Sequence, residues 1–350
     1  MKRFLLIILL SHFTWSYGLG QVPWPKASLA EAALDSTILH ASLNQFPDFR
    51  EHGVYSWLIL KEGKLVWETY FGPQDGMQKH DLRSATKSIT ALLVGIALEK
   101  GILQSVEDPI RTYLAPTYHV PPAFDSVTIH HLLSMTAGLD CDDGDRSTKG
   151  QEDRMYRKKD WTQYFLNLSR TWPVGDSLRY CTGGVVALGE ILRLASGREV
   201  SALAEEWLFA PLGITDYRWS RYDRDRKIDT GGHLYLRPID LAKLGQLVLQ
   251  EGVWQDQRLV SAAWVKRCLA WMHTWPNGVG YGYLWRTTDL PHPSGKVRVH
   301  YAQGNGGQVC FVVPEADMVV VFTGKNYNSP KASIPYQIFQ HAVLPAWKSP

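Results

Sequence analysis

RSATKSITALLVGIALEKG, residues 83–101, is the most apolar helix-like segment of the chain, and its reading decides the fold. The spacing predicts a helix over 84–100, stopped by Gly101 at the C′ position. Lys87 sits one turn into that segment. Burying an ammonium group costs several kcal/mol unless something compensates it. Positions three apart share a helix face, so Ser84 and Lys87 are neighbours. Ser84 falls at the N-terminal end, where unpaired N–H groups and the helix dipole favour a developing negative charge. A serine hydroxyl needs an adjacent base to attack, and a desolvated lysine helps remove its proton, whether neutral or charged beside an alkoxide. The plainer reading is an N-cap serine and a lysine that reaches solvent. S-x-x-K alone does not choose between them.

The remaining composition narrows the classes. The chain has 350 residues, 45% hydrophobic and 20% charged, enough for a large core in one domain or two. A formal charge of +3 with no run of Lys or Arg speaks against a nucleic-acid partner. Residues 1–20, MKRFLLIILLSHFTWSYGLG, carry a basic start, an apolar core over 4–10 and small residues before Gln21. That pattern predicts a secretory signal peptide cleaved near Gly20 and a periplasmic or secreted protein. The apolar core is too short for a bilayer, which takes about 20 residues, so no stable membrane anchor is expected. Export permits disulfides. Cys141, Cys181, Cys268 and Cys310 form neither a C-x-x-C pair nor a zinc spacing.

Along the chain, VYSWLILKEGKLVWETYFG (54–72) predicts a hairpin about Glu62-Gly63. VTIHHLLSMTAGL (127–139) reads as a short helix and a turn. CTGGVVALGEILRLASG (181–197) and VSALAEEWLFAPLG (200–213) are further helices, and Pro238 opens another through LAKLGQLVLQ. The C-terminal third holds four strand-like runs, YGYLWRTT, VRVHYAQG, GQVCFVVPE and DMVVVFTG, and then a closing helix, SIPYQIFQHAVLPAW. Strands at both ends around a helical middle predict one sheet built from both termini, an inserted helical lobe, and a cleft between them.

These landmarks, in this order, resemble the serine β-lactamase and penicillin-binding-protein-like superfamily. The likeness is greatest to the branch holding secreted esterases, D-aminopeptidases and 6-aminohexanoate-oligomer hydrolases. It runs from about Tyr55 to Tyr327 and rests on RSATKSITALLVGIALEKG with EDPIRTYL, VTIHHLLSMTAGLD, PVGDSLRYCTGGVVALGEILRLASG, PLGITDYRWS, GGHLYLRPIDLAKLGQLVLQEG and AQGNGGQVCFVVPEADMVVVFTG. The resemblance implies an α/β (α+β) fold of the β-lactamase/DD-peptidase type. Its central, mostly antiparallel sheet is flanked by helices, with a sheet lobe at about 21–105 and 230–350 and a helical lobe at about 106–229 of one catalytic domain, 21–350. S-D-N and K-T-G, found with S-x-x-K in related lactamases, are both absent.

By the same resemblance, Ser84 is the nucleophile and Lys87 and Tyr180 move its proton, Tyr180 as phenolate or hydrogen-bonded to Lys87. The second motif, commonly Y-x-N or Y-x-S, is Tyr180-Cys181-Thr182 here, which puts Thr182 on the substrate side. The third motif aligns as Ala302-Gln303-Gly304, without the usual Lys or His that helps hold a substrate carboxylate in lactam-processing relatives. Its absence argues against penicillins. The N–H groups of Ser84 and Asn305 are expected to form the oxyanion hole, and Gln303, Gly304 and Gly306 to border the substrate. Cys141 and Cys181 each lie in a landmark that should border the cleft, so they are expected to be close enough for a disulfide.

The remaining signals are plainer. His130 and His131 are adjacent and cannot both face one metal from a helix, so they pack or cap. LDCDDGDR (139–146) lacks the calcium-loop spacing and reads as a solvated loop near the cleft. RYDRDRK (221–227) reads as an exposed face, and neither G-x-S-x-G nor H-E-x-x-H occurs. The expectation is an exported serine hydrolase acting on a small-molecule or short-oligomer ester or amide, with neither metal nor organic cofactor. The competing readings are a non-catalytic binding or sensor protein on the same fold and a cell-wall DD-peptidase or β-lactamase. Substrate identity and oligomeric state stay open.

Overall fold

The computed structural model describes residues 24–44, 49–224 and 227–348; the expected leader at 1–20 lies outside them. The hairpin forms where its turn signal stands. Strands β1 (Val54–Lys61) and β2 (Lys64–Tyr70) pair antiparallel, and Glu62 and Gly63 turn between them with φ of +52° and +70°. Six further strands come from the C-terminal third: β3 (His273–Thr274), β4 (Gly280–Tyr281), β5 (Arg286–His292), β6 (Gly295–Gly304), β7 (Gln308–Val313) and β8 (Met318–Gly324). They make one sheet in the order β3-β4-β5-β6-β7-β8-β1-β2. All of its pairings are antiparallel, with β1 docked on β8, so both ends of the chain build it.

The run YGYLWRTT is not one strand. Leu284 takes φ of +59° and separates β4 from β5. The closing helix is likewise broken, its middle turn over Phe339–Val343 being wider than an α-helix.

Four longer helices frame the sheet: α1 (Ser36–Asn44), α2 (Thr86–Glu99), α3 (Thr182–Ser196) and α4 (Pro238–Leu249). Both sheet faces are covered. Leu58 and Leu60 of β1 and Val319 and Val321 of β8 face a core shared with α2, α3 and α4. The alternate residues Trp57, Ile59, Val320 and Phe322 face a second core with α1 and residues 334–346. Burial on both faces explains why these strands are apolar throughout rather than alternating. Each large side chain so buried contributes about 1.5–3 kcal/mol.

The apolar segment 83–101 contains α2, and every residue from Thr86 to Ala97 is buried. A helix apolar all round belongs inside a core. It ends as its glycine requires. Gly101 has φ of +67°, its N–H bonds to Leu98 O, and the Ile102 N–H bonds back to Ala97 O. No helix among the described residues is long and apolar enough to cross a membrane.

Candidate active site

The start of that helix differs from a plain N-cap. Arg83–Ala85 form a tight 3₁₀ turn ahead of α2, and Ser84 sits within it. In such a turn residues three apart eclipse one another. Lys87 Nζ accordingly donates to Ser84 Oγ at 3.0 Å and to the Gly231 carbonyl at 2.6 Å. Arg83, just before the nucleophile candidate, is held at φ of +49°, and its N–H bonds to Asp81 Oδ1 at 2.9 Å. A non-glycine residue in that region is strained, and such strain persists only where neighbours over-determine it. Asp81 also accepts from His233 Nδ1 at 2.8 Å, and that bond raises the imidazole above its ordinary value.

Lys87 is 1% exposed, so it does not reach solvent. Burial alone would lower its pKa, but Tyr180, Glu152, Asp143 and Asp229 outweigh that and raise it. Of the two lysine states considered from the sequence, the surroundings favour the ammonium.

Those carboxylates are the part of the site that the sequence reading missed. Asp229 is 1% exposed, accepts the Gly231 N–H at 3.0 Å, and is pushed up to about 6 by burial. Asp143 Oδ2 accepts both the N–H and the hydroxyl of Thr182, at 2.8 and 2.6 Å, and Glu152 Oε2 lies 3.0 Å from the same hydroxyl. One hydroxyl proton cannot serve two carboxylates. Burial and the neighbouring Glu152 push Asp143 up to about 7.

Two expectations are corrected here. Thr182 is fully buried with its hydroxyl engaged by Asp143 and Glu152, so it faces a carboxylate cluster and not a substrate. The loop 139–146 is not simply solvated, because Asp143 turns inward as the acceptor of the α3 start. A usable signal existed: Asp143 lies two residues after Cys141, and Thr182 follows Cys181. Cys141 and Cys181 are bridged, with Cα atoms 5.4 Å apart, which clamps the two segments together.

Tyr180, next to that bridge, is half-buried. Lys87 Nζ lies over its ring, 5.1 Å from the centre, and no hydrogen bond joins the Tyr180 hydroxyl to a described residue. From another side the Arg286 guanidinium lies 5.6 Å from the same ring centre. His130 and His131 take structural partners. His131 closes a capping box with Thr128, His130 Nδ1 lies 2.6 Å from the Tyr283 hydroxyl, and burial lowers both imidazoles.

The third motif ends β6 beside the 3₁₀ turn. A Cβ on Gly304 would come within 2.0 Å of Leu82 O, so only glycine permits that approach. That approach is to Leu82, two residues before Ser84. The Asn305 side chain exchanges hydrogen bonds with Asn328 at 2.7 and 3.0 Å. Gly306 follows with φ of +92°, and the half-buried Gln303 makes no side-chain hydrogen bond to a described residue.

A family model described as Beta-lactamase matches residues 45–342. A 6-aminohexanoate-dimer hydrolase of Paenarthrobacter ureafaciens is 25% identical over 240 residues, 61% of this chain and 57% of that relative, so the match spans little more than half of its length. Among solved structures, the octameric penicillin-binding protein homologue from Pyrococcus abyssi matches with a TM-score of 0.69 at 20% identity, over 90% of this chain and 79% of its own. A family VIII carboxylesterase matches with a TM-score of 0.66 at 16% identity, over 91% and 98%. Identities this low carry the fold, and it is the fold read from the sheet and helices above.

Proposed function

The chain belongs to the beta-lactamase family, and on that premise we propose that it is an exported serine hydrolase opening an ester or amide bond through an acyl-enzyme on Ser84. Hydrolases of esters and of an amide are among its relatives, which supports the class without choosing the substrate. The observation that carries the reading is the buried Lys87 ammonium donating to Ser84 Oγ at 3.0 Å. A cation fixed there lowers the cost of the serine alkoxide.

Ser84 Oγ attacks the carbonyl carbon, and Tyr180 acts as the base that takes the hydroxyl proton. The tetrahedral oxyanion is received by the N–H groups of Ser84 and Asn305. Neither is taken by a turn or loop carbonyl among the described residues. The bond to the leaving group then breaks, and that group departs with the proton from Tyr180. Water attacks the acyl-serine with Tyr180 again as base, the acid leaves, and the proton returns to Ser84. Asp143, Glu152 and Asp229 favour the charged Lys87, and the Gly231 carbonyl holds it in place.

The test is intact-mass spectrometry of the protein after a fluorophosphonate probe, beside a Ser84→Ala control. One adduct on the native protein and none on the variant is the expected result. No adduct on folded native protein would move the reading to a binding or sensor protein.

A further inference from the structure

One carboxylate ties two strained turns together beside Ser84. Arg83, the residue before the serine, has φ of +49°, and His233 has φ of +55°. Asp81 Oδ1 accepts the Arg83 N–H at 2.9 Å, and Asp81 Oδ2 accepts from His233 Nδ1 at 2.8 Å. Oδ2 also lies 3.5 Å from Arg83 Nε, and Arg83 Nη1 lies 3.2 Å from His233 Nε2. Burial would raise the Asp81 carboxyl, but His233 and Arg83 outweigh that and lower it. Asp81 is therefore a carboxylate and acts only as an acceptor.

Each turn carries one half of the contact between serine and lysine. The first presents Ser84, within the 3₁₀ turn Arg83–Ala85. The second, over residues 231–233, presents the Gly231 carbonyl that receives Lys87 Nζ at 2.6 Å. The two turns touch. Leu82 N–H bonds to Leu234 O at 2.9 Å, and a Cβ on Gly232 would meet Arg83 O at 3.9 Å. Asp81 is itself placed by its backbone, because the short strand His80–Asp81 pairs antiparallel with Leu236 and Tyr235. A residue with a Cβ keeps a φ in this region only where its surroundings force it. A reacting group displaced by about 1 Å loses about 10²-fold in rate.

We propose that Asp81 is a positioning residue for Ser84: by holding Arg83 and His233 in these backbone conformations, it sets Ser84 Oγ against Lys87 Nζ and Lys87 against Gly231. The proposal rests on the reading of Ser84 as nucleophile and adds the residue that fixes its geometry.

The test is a mutant cycle read by the rate at which a fluorophosphonate probe labels Ser84. Asp81→Ala should lower the saturating rate constant about 10²-fold and leave the half-saturating probe concentration nearly unchanged. Asp81→Asn, which keeps an amide oxygen for the Arg83 N–H, should recover part of the rate. Glycine takes a positive φ without strain, and alanine does not. In Arg83→Gly protein, Asp81→Ala should therefore cost at least about 10-fold less than in the native chain. In Arg83→Ala protein, which also lacks the guanidinium, the cost should stay at about 10²-fold. Equal cost in all three backgrounds overturns the proposal, and so does a loss confined to the half-saturating concentration. If Asp81→Ala does not fold, Asp81→Asn takes its place in the cycle. If folded native protein is not labelled, the serine-hydrolase reading fails, and the same cycle in urea midpoints still decides the role of Asp81. A midpoint shift from Asp81→Ala that shrinks in Arg83→Gly protein and not in Arg83→Ala protein supports its hold on the Arg83 backbone. Equal midpoint shifts overturn it.

Discussion

Two cations look onto the ring of Tyr180, and the protein treats them differently. Lys87 is buried, donates to Ser84 and Gly231, and has its charge supported by Tyr180, Glu152, Asp143 and Asp229. Arg286 lies on aromatic faces with no carboxylate partner among the described residues. A buried charge with its counter-charges built in is part of the folded state. One without a carboxylate partner is held instead by the aromatic faces around it.

The largest effect expected from that contrast is in Lys87→Met. Activity should fall by about 10³-fold or more, and urea unfolding should show a loss of about 3–5 kcal/mol, because the carboxylates are left without their cation. Arg286→Met should unfold within about 1 kcal/mol of the native protein, since no buried pair is broken. Equal destabilisation by the two would break the contrast.

Next in size is Tyr180→Phe, which should lower kcat about 10²–10⁴-fold with urea unfolding nearly unchanged. If kcat survives, the proton goes elsewhere and Lys87 must be neutral during the reaction.

The bridge between Cys141 and Cys181 closes a loop with a sequence separation of 40. In the chain-entropy account such a closure stabilises by about 4 kcal/mol. Replacing both cysteines by serine should cost most of that and should also loosen Tyr180 and Asp143, which the bridge ties together. Thiol labelling of denatured protein should find two groups without reductant and four with it, the two being the buried Cys268 and Cys310.

The smallest effect is a pH dependence. Burial raises Asp229 to about 6 from 3.8, so the folded state holds this proton more tightly than the unfolded chain. Its contribution is therefore favourable below about 4 and is lost as pH rises toward and past 6. The stability difference between native protein and Asp229→Asn, followed by urea unfolding from pH 4 to 8, should move against the native protein as pH rises. A flat difference would mean that Lys87 neutralises Asp229 in full, which would sharpen the account of the lysine.

Much of this was legible in residue order. Pro238 opens α4, Gly101 closes α2, and the pair Ser84 and Lys87 meets because three residues on a helix or 3₁₀ turn return to one face. Alternation about Glu62-Gly63 placed the hairpin. Other features were not legible. Asp143 stood in an acidic loop that looks like any solvated turn, and only its inward direction distinguishes it from Asp142 and Asp145. Arg286 was one charge in an aromatic run, visible but without an address.

What the sequence determined by itself was periodicity: which segments bury a face, where helices start and stop, and which residues three apart must touch. These depend on local backbone geometry, which the neighbouring residues set. What the tertiary structure decided was the sign and placing of charge around Lys87, the inward turn of Thr182, and the seating of Arg286 over the rings of Trp275, Tyr180 and Tyr281. Each depends on segments up to 144 positions apart, as Lys87 and Gly231 are, meeting in a low-dielectric interior. There the energy of a charge is set by its partners and not by its place in the chain.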